Sequence, residues 1–134
     1  MKQYIPRYFQ WHELVPSAEY KKYWLELIDD RLLMTLDAIR GHYKRPVTVN
    51  NWHSGGEFSL RGLRPMNSTT GAKFSQHKFG RAADFDVAGV SAEQVRNDIR
   101  KGLFPLVTCI EQDTNWVHID VRNATRLYEV PIPK

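Results

Sequence analysis

The sequence predicts an α+β domain in which helices pack on one side of a small antiparallel sheet. Three observations lead to this fold class. Apolar residues recur every three or four positions over residues 32–43, which is the period of a helix. Two short apolar segments, 82–87 and 116–121, have the length and composition of strands. Residues 91–101, between these strands, begin with a helix-capping serine and predict a further helix.

The N-terminal part of the chain supplies aromatic and helical segments. Residues 1–16 are rich in aromatic side chains and contain two prolines, which predicts a surface-packed lead-in with one short helical turn. The apolar side chains of residues 17–28 fall on one helical face and predict a first helix. Asp29 or Asp30 then caps the next helix, which ends before Pro46 because proline cannot continue a helix.

The remaining strands are short and separated by turns. Residues 47–50 predict a strand, and the long loop 51–76 that follows is rich in Gly, Ser, Asn and Thr. A loop of this length in a compact domain is usually functional. Residues 106–112 predict a strand that pairs through the turn 113–115 with the next apolar segment. The tail, residues 127–132, predicts an edge strand.

Length and composition favour one soluble domain over residues 1–134. Hydrophobic residues make up 42% of the chain and charged residues 25%, as in ordinary globular proteins. The net charge is +4, but the basic residues are scattered, so we expect no nucleic-acid partner. No segment has the length of a signal peptide or a membrane span. We therefore expect a monomer that is cytoplasmic as synthesised and does not bind membranes.

The single cysteine limits the kinds of site that the chain can form. Cys109 has no partner for an internal disulfide, so stability does not depend on an oxidising compartment. A cysteine-rich structural zinc site is excluded for the same reason. Cys109 lies in an apolar segment, which favours a core position over a reactive thiol.

The residues that carry chemistry are concentrated in two segments. His77 and Asp84 are seven residues apart, with Gly80 and two alanines between them, and His118 lies within the later strand. Taken one at a time, each is explained by a hydrogen-bonded core histidine or a capping aspartate. Taken together, two histidines and one aspartate on separate parts of the chain are typical of a catalytic zinc site. Such a site keeps its fourth position open for water.

These two segments also resemble a known family signature. The matching residues are Ser75-x-His77-x-x-Gly80-x-Ala82-x-Asp84 and Trp116-Val-His118-Ile-Asp120. They resemble the zinc D-alanyl-D-alanine peptidases, which include D-Ala-D-Ala carboxypeptidases, the vancomycin-resistance dipeptidase, murein endopeptidases and phage endolysins that cut L-Ala-D-Glu bonds. The likeness covers roughly residues 28–122.

The resemblance implies a fold, a cofactor and an activity. The fold is Hedgehog/DD-peptidase-like, and the Zn²⁺ ligands are His77, Asp84 and His118. The activity is hydrolysis of peptide bonds in peptidoglycan stem peptides or cross-links, by a carboxypeptidase or an endopeptidase. A member without an export signal reaches the cell wall after release, as phage endolysins do with the help of a holin.

The resemblance also implies a general base, but the residue at its usual position is different in this chain. Many relatives carry an acidic residue three positions before the last zinc histidine, and this chain has Asn115 there. The candidates for the base are Glu111, then Asp113 and Asp120. Glu111 lies on the preceding strand and is placed to reach across the hairpin, whereas Asp113 lies in the turn. The substitution at Asn115 favours the alternative, a non-catalytic member of the fold that binds cell-wall fragments.

Relatives further place an arginine after the first strand, where it stabilises the oxyanion or a substrate carboxylate. This chain has His53 at the corresponding position, so Arg61 or Arg64 from the following loop must supply the charge. Arg64 is preferred because Pro65 restricts its backbone. Two further residues are expected to hydrogen-bond the ligands or nearby backbone, Ser75 and Asp120. Asp120 follows His118 by two and so faces the same side of the strand.

Overall fold

The computed structural model describes residues 3–131 and contains one five-stranded mixed sheet with three α-helices. The strands are β1 (Val47–Thr48), β2 (Ala82–Val87), β3 (Cys109–Glu111), β4 (Val117–Asp120) and β5 (Tyr128–Val130). The helices are α1 (Trp24–Leu27), α2 (Asp30–Tyr43) and α3 (Ala92–Arg100). The predicted α+β class is confirmed.

The spatial order of the strands is β1-β2-β4-β3-β5. All pairs are antiparallel except β3 with β5, which is parallel. The predicted sheet was antiparallel throughout, and β5 differs because residues 121–127 return to the end of β3 at which Cys109 lies. The tail therefore enters the sheet at that end and runs in the same direction as β3. The last residue of the predicted edge strand, Ile132, lies outside the described residues.

Two of the predicted helices form with the expected ends. Asp29 caps α2, since its carboxylate accepts the N–H of Arg31 at 2.8 Å. The helix stops at Lys44, which has a left-handed φ of 55°. Ser91 caps α3 by accepting the N–H of Gln94 at 3.1 Å.

The helix predicted over residues 17–28 is wrong as a continuous element. Ala18–Tyr20 form a 3₁₀ turn, and only Trp24–Leu27 are α-helical. Ile28 is extended, and the N–H of Asp29 donates to the carbonyl of Gly80 at 2.9 Å. This long-range hydrogen bond ends the helical segment before Asp29. The side chain of Asp29 caps α2 instead.

The strands separate the two faces of the sheet into a core face and a polar face. Ala83 and Phe85 of β2 and Ile119 of β4 are fully buried in one cluster with the apolar residues of α2 and α3. Because side chains alternate along a strand, Asp84 and His118 project from the opposite face. The helices thus cover one side, as predicted, and leave the other side for a site.

The predicted long loop 51–76 remains irregular apart from a 3₁₀ turn at Trp52–Ser54. Part of it runs beside β2, where β1 has already ended. The N–H of Asp84 donates to the carbonyl of Arg61 at 2.7 Å, and the N–H of Arg64 donates to the carbonyl of His77 at 3.0 Å. The loop therefore places two arginines next to the polar face of the sheet. In the described part of the chain, no helix has both the length and the apolar character needed to cross a bilayer.

Candidate metal centre and cleft

The polar face of the sheet brings together the three residues that the sequence predicts as metal ligands. The ligand atoms of His77, Asp84 and His118 all lie within 4.8 Å of one another, and the three residues are buried. Asp84 and His118 are direct cross-strand partners on β2 and β4. The adjacent position of the two strands explains how residues 34 positions apart come to share one point.

His77 is held by a 3₁₀ turn, Gln76–Phe79, which lies directly before β2. The hydroxyl of Ser75 accepts the N–H of His77 at 3.3 Å and so caps this turn. Gly80 ends the turn with a φ of +69°, and a Cβ at this position would lie 1.9 Å from the carbonyl oxygen of Leu27. A glycine is therefore required to bring the histidine and the strand together.

The hydrogen bonds of His77 determine which ring nitrogen is free. Its Nδ1 lies 2.9 Å from the carbonyl oxygen of Gly62. Because a carbonyl only accepts hydrogen bonds, Nδ1 carries the proton. Nε2 then presents its lone pair toward Asp84, whose Oδ2 is 3.4 Å away.

His118 is oriented by carboxylates on both sides of its ring. Nδ1 lies 2.8 Å from Oδ1 of Asp84, and Nε2 lies 2.9 Å from Oδ2 of Asp120. Asp120 is fully buried and receives two hydrogen bonds from the guanidinium of Arg122, each of 2.7 Å. A carboxylate behind the ring keeps the proton on Nε2 and leaves Nδ1 free to bind a cation, as is common for metal-binding histidines.

The pKa values of this cluster indicate a site that favours positive charge. Burial acts to lower the pKa of His118, but its hydrogen bonds to Asp120 and Asp84 raise it to about 9. Burial acts to raise the pKa of Asp120, yet the hydrogen bonds from Arg122 and His118 lower it to about 2. Burial acts to raise the pKa of Asp84, but the imidazoles of His118 and His77 beside it outweigh burial and hold this pKa well below the usual range. Both carboxylates are therefore ionised, and a cation can replace the proton on Nδ1 of His118.

The chemistry of these donors fits zinc. Two imidazole nitrogens and one carboxylate form the three-ligand set of catalytic zinc sites, and each imidazole has its other nitrogen satisfied by a protein acceptor. The three residues open into a cleft of about 340 Å³. Its lining consists of Arg64, Thr70, Gly71, Ala72, Phe74, Ser75, Gln76, His77, Asp84, Glu111, Trp116, His118 and Arg122.

Of the three acids predicted as bases, the structure brings Glu111 into the cleft. Its Oε2 lies 3.8 Å from Nδ1 of His118, and its side chain is 15% exposed. Burial and the nearby charge of Asp84 raise the pKa of Glu111 above its ordinary value, although His118 opposes this shift. Asp113 is exposed, has a left-handed φ of 63° and does not line the cleft. Asp120 is bound to His118 and Arg122, so its position is that of an orienting group.

The predicted arginine also reaches the cleft. The Nε of Arg64 donates to the carbonyl of Leu60 at 2.7 Å, and its Nη2 lies 3.5 Å from Oδ2 of Asp84. Arg64 thus supplies positive charge beside the three predicted metal ligands. His53, at the position where relatives have arginine, stacks on His12 at 4.1 Å between ring centroids and does not line the cleft.

Two residues that position groups of the site were not predicted from the sequence. Arg122 follows Asp120 by two, and an arginine so close to a buried carboxylate was the available signal for their pairing. Arg96 of α3 had no local signal. Its guanidinium is buried and donates to the carbonyls of Thr114 at 3.0 Å and Trp116 at 3.2 Å. It thereby fixes the turn that leads into β4 and the tryptophan that lines the cleft.

Comparison with protein-family models gives a match that spans the three residues of the metal group. The family model for peptidase M15 matches residues 8–120. The chain belongs to the peptidase M15 family. Peptidases of this family are in general zinc-dependent, which agrees with the His–Asp–His group. No curated protein and no solved structure matched the chain significantly.

The M15 match includes every residue of the metal group and Glu111. It ends at Asp120, so β5 lies beyond the matched segment. The resemblance first noted in two short segments therefore extends over most of the domain, including α2, α3 and the loop that carries Arg64.

Proposed function

We propose that this M15 peptidase is a zinc-dependent hydrolase of peptide bonds in peptidoglycan stem peptides or cross-links. Whether it acts as a carboxypeptidase or as an endopeptidase depends on which bond it cuts. The proposal includes a monomer that acts at the cell wall after release. The observation that supports it best is the convergence of the ligand atoms of His77, Asp84 and His118 at a cleft that also contains Glu111.

The protein residues have separate tasks in this proposal. His77, Asp84 and His118 would hold the zinc ion, which lowers the pKa of water and polarises a carbonyl group when bound. Glu111 accepts a proton from the attacking water and passes it to the leaving amine. Its raised pKa suits this role, because a base with a pKa closer to neutrality returns the proton more readily.

Arg64 provides the remaining electrostatic contribution. Its guanidinium lies beside Asp84 and faces the cleft, where it stabilises the negative charge that develops on the carbonyl oxygen. The hydrogen bond from Arg64 to Leu60 fixes this orientation before substrate binds. Asp120 and Arg122 act through His118, since they hold its ring in place.

The test is digestion of purified peptidoglycan with and without added zinc, followed by mass spectrometry of the released fragments. We expect zinc-dependent release of peptide fragments that identify the cleaved bond. His77→Ala should lose both zinc and activity, and Glu111→Gln should keep zinc but lose activity. Glu26→Gln, an exposed substitution on α1, is the control. Stoichiometric zinc loading without any released fragment would contradict the proposed peptidase activity.

That last outcome is the expectation of the second candidate, a non-catalytic member of the family that binds cell-wall fragments. Asn115 favours it, because an amide cannot accept the proton that the acidic residue of many relatives takes. Binding of muropeptides with zinc present and no turnover across a panel of them would support this candidate.

A further inference from the structure

A second cavity of about 490 Å³ adjoins the metal group on the other side of Trp116. Its lining consists of Phe58, Arg61, Asp84, Asp86, Asn115 and Trp116. Asp84 and Trp116 also line the first cleft. The two cavities therefore adjoin each other at the metal group.

The second cavity contains a charge pair with unused hydrogen-bonding capacity. Nη1 of Arg61 donates to Oδ2 of Asp86 at 3.0 Å, and the guanidinium carbon lies 4.3 Å from the centroid of the Phe58 ring. Among residues 3–131, this is the only hydrogen bond that either charged side chain makes. The remaining N–H groups of Arg61 and the second oxygen of Asp86 are thus available to a ligand.

The exposure of the pair allows it to exchange partners. The side chain of Asp86 is 51% exposed and that of Arg61 is 12% exposed. Ion pairs with one solvated member contribute little to stability, so their separation by a ligand costs little. Phe58 limits the movement of the guanidinium and keeps it directed at the cavity.

The position of Asp86 indicates which part of a substrate would reach it. Asp86 follows Asp84 by two on β2, and residues on one face of a strand are about 7 Å apart. A charged group held at Asp86 is therefore about one extended side chain from the metal ligands. At this distance, the group would belong to the residue next to the cleaved bond.

We propose that this cavity recognises a zwitterionic side chain, one that carries an ammonium and a carboxylate, on the residue next to the cleaved bond. Arg61 binds the carboxylate and Asp86 binds the ammonium, each through charge-assisted hydrogen bonds. A side chain with an ammonium alone satisfies Asp86 and gives Arg61 no new partner. The inference rests on the proposed peptidase function and specifies its substrate class.

The test compares two peptides, L-alanyl-X-D-alanine with X as 2,6-diaminopimelate or lysine, whose side chains differ by one carboxylate. Binding is measured by calorimetry on zinc-loaded protein that carries Glu111→Gln, so that hydrolysis does not consume the peptide. We expect the diaminopimelate peptide to bind about tenfold more tightly. Arg61→Gln should reduce this ratio to about one, and Arg61→Lys should restore part of it because the charge is retained.

Equal affinity for the two peptides, or a ratio that Arg61→Gln leaves unchanged, would overturn the proposal. Circular dichroism of the two Arg61 variants verifies the fold, and both substitutions retain the backbone carbonyl of Arg61 that accepts the N–H of Asp84. Hydrolysis by the unmodified zinc protein is measured separately. If digestion of purified peptidoglycan by this protein also releases no fragment, the peptidase function fails, and the binding ratio still decides the role of the cavity.

Discussion

Replacement of Asp120 by asparagine tests whether a buried carboxylate tunes the metal centre through His118. Oδ2 of Asp120 lies 2.9 Å from Nε2 of His118 and is the acceptor that keeps the ring proton on this nitrogen. Asp120→Asn preserves the size of the side chain and removes its charge. In the wild type, two N–H groups of Arg122 donate to the two carboxylate oxygens of Asp120. In the variant, the amide N–H₂ faces one of these donors.

The expected loss of zinc affinity follows from the burial of Asp120. Loss of such a partner behind a metal-binding histidine typically weakens metal binding by about 10- to 100-fold. Asp120 has 0% exposure, so water cannot replace the lost charge. We therefore expect the upper end of this range, about 100-fold, or about 2.7 kcal/mol at about 1.36 kcal/mol per factor of ten. The side chain of Arg122 is 37% exposed and can turn toward water, so the fold should remain intact.

The assay is a zinc titration in competition with a chromophoric chelator, performed on the wild type, Asp120→Asn and the exposed control Glu26→Gln. Thermal unfolding of each zinc-free protein, followed by circular dichroism, separates metal affinity from stability. A change in zinc affinity of less than about threefold in Asp120→Asn would refute the reasoning. It would mean that the Asp84 side of the ring alone determines the orientation of His118.

Three further substitutions test the base, the turn and a helix cap. Glu111→Gln should lower kcat by about 10²- to 10⁴-fold with zinc affinity retained, measured by fragment release and chelator competition. Gly80→Ala should lower the free energy of unfolding by about 2 kcal/mol or more in urea denaturation, because its methyl group meets the carbonyl of Leu27. Asp29 has a lowered pKa through its hydrogen bonds from Arg31, so the stability it contributes is present above its ordinary pKa of about 4 and is lost as the pH falls. The free energy of unfolding, measured by urea denaturation, should fall more for the wild type between about pH 5 and about pH 3 than for Asp29→Asn, which retains a capping side chain.

Each of these predictions has a result that contradicts it. Full activity in Glu111→Gln would exclude it as the base. Unchanged stability in Gly80→Ala would mean that the contact with Leu27 relaxes without cost. An identical acid dependence of the wild type and Asp29→Asn would show that the pair with Arg31 does not stabilise the folded state.

The three residues that the sequence groups as a metal site come together in the structure, and local alternation along the strands accounts for the face that two of them share. Side-chain alternation alone places Asp84 opposite Phe85 and His118 opposite Ile119, so both ligands leave the core face. The same alternation distinguishes two of the candidate bases. Glu111 lies on β3 on the polar face, whereas Asp113 lies beyond the strand, is exposed and does not line the cleft.

Long-range contacts determined what the sequence left open or predicted wrongly. The break after α1 depends on a hydrogen bond to Gly80, which no helical periodicity reveals. The choice between Arg61 and Arg64 depends on how the loop lies along β2. The parallel direction of β5 depends on the short return from β4 and not on its own residues. In each case the deciding partner lies far away in the chain.

A hydrogen-bonded arginine connects α3, on the covered side of the sheet, to the rim of the cleft on the opposite side. Arg96 spans the carbonyls of Thr114 and Trp116, a reach that a single ammonium cannot reproduce. A sideways shift of α3 would therefore move Trp116 and change the relative widths of the two cavities. Substitutions confined to the solvent-facing residues of α3 can therefore change the shape of both cavities while every residue that lines them stays the same.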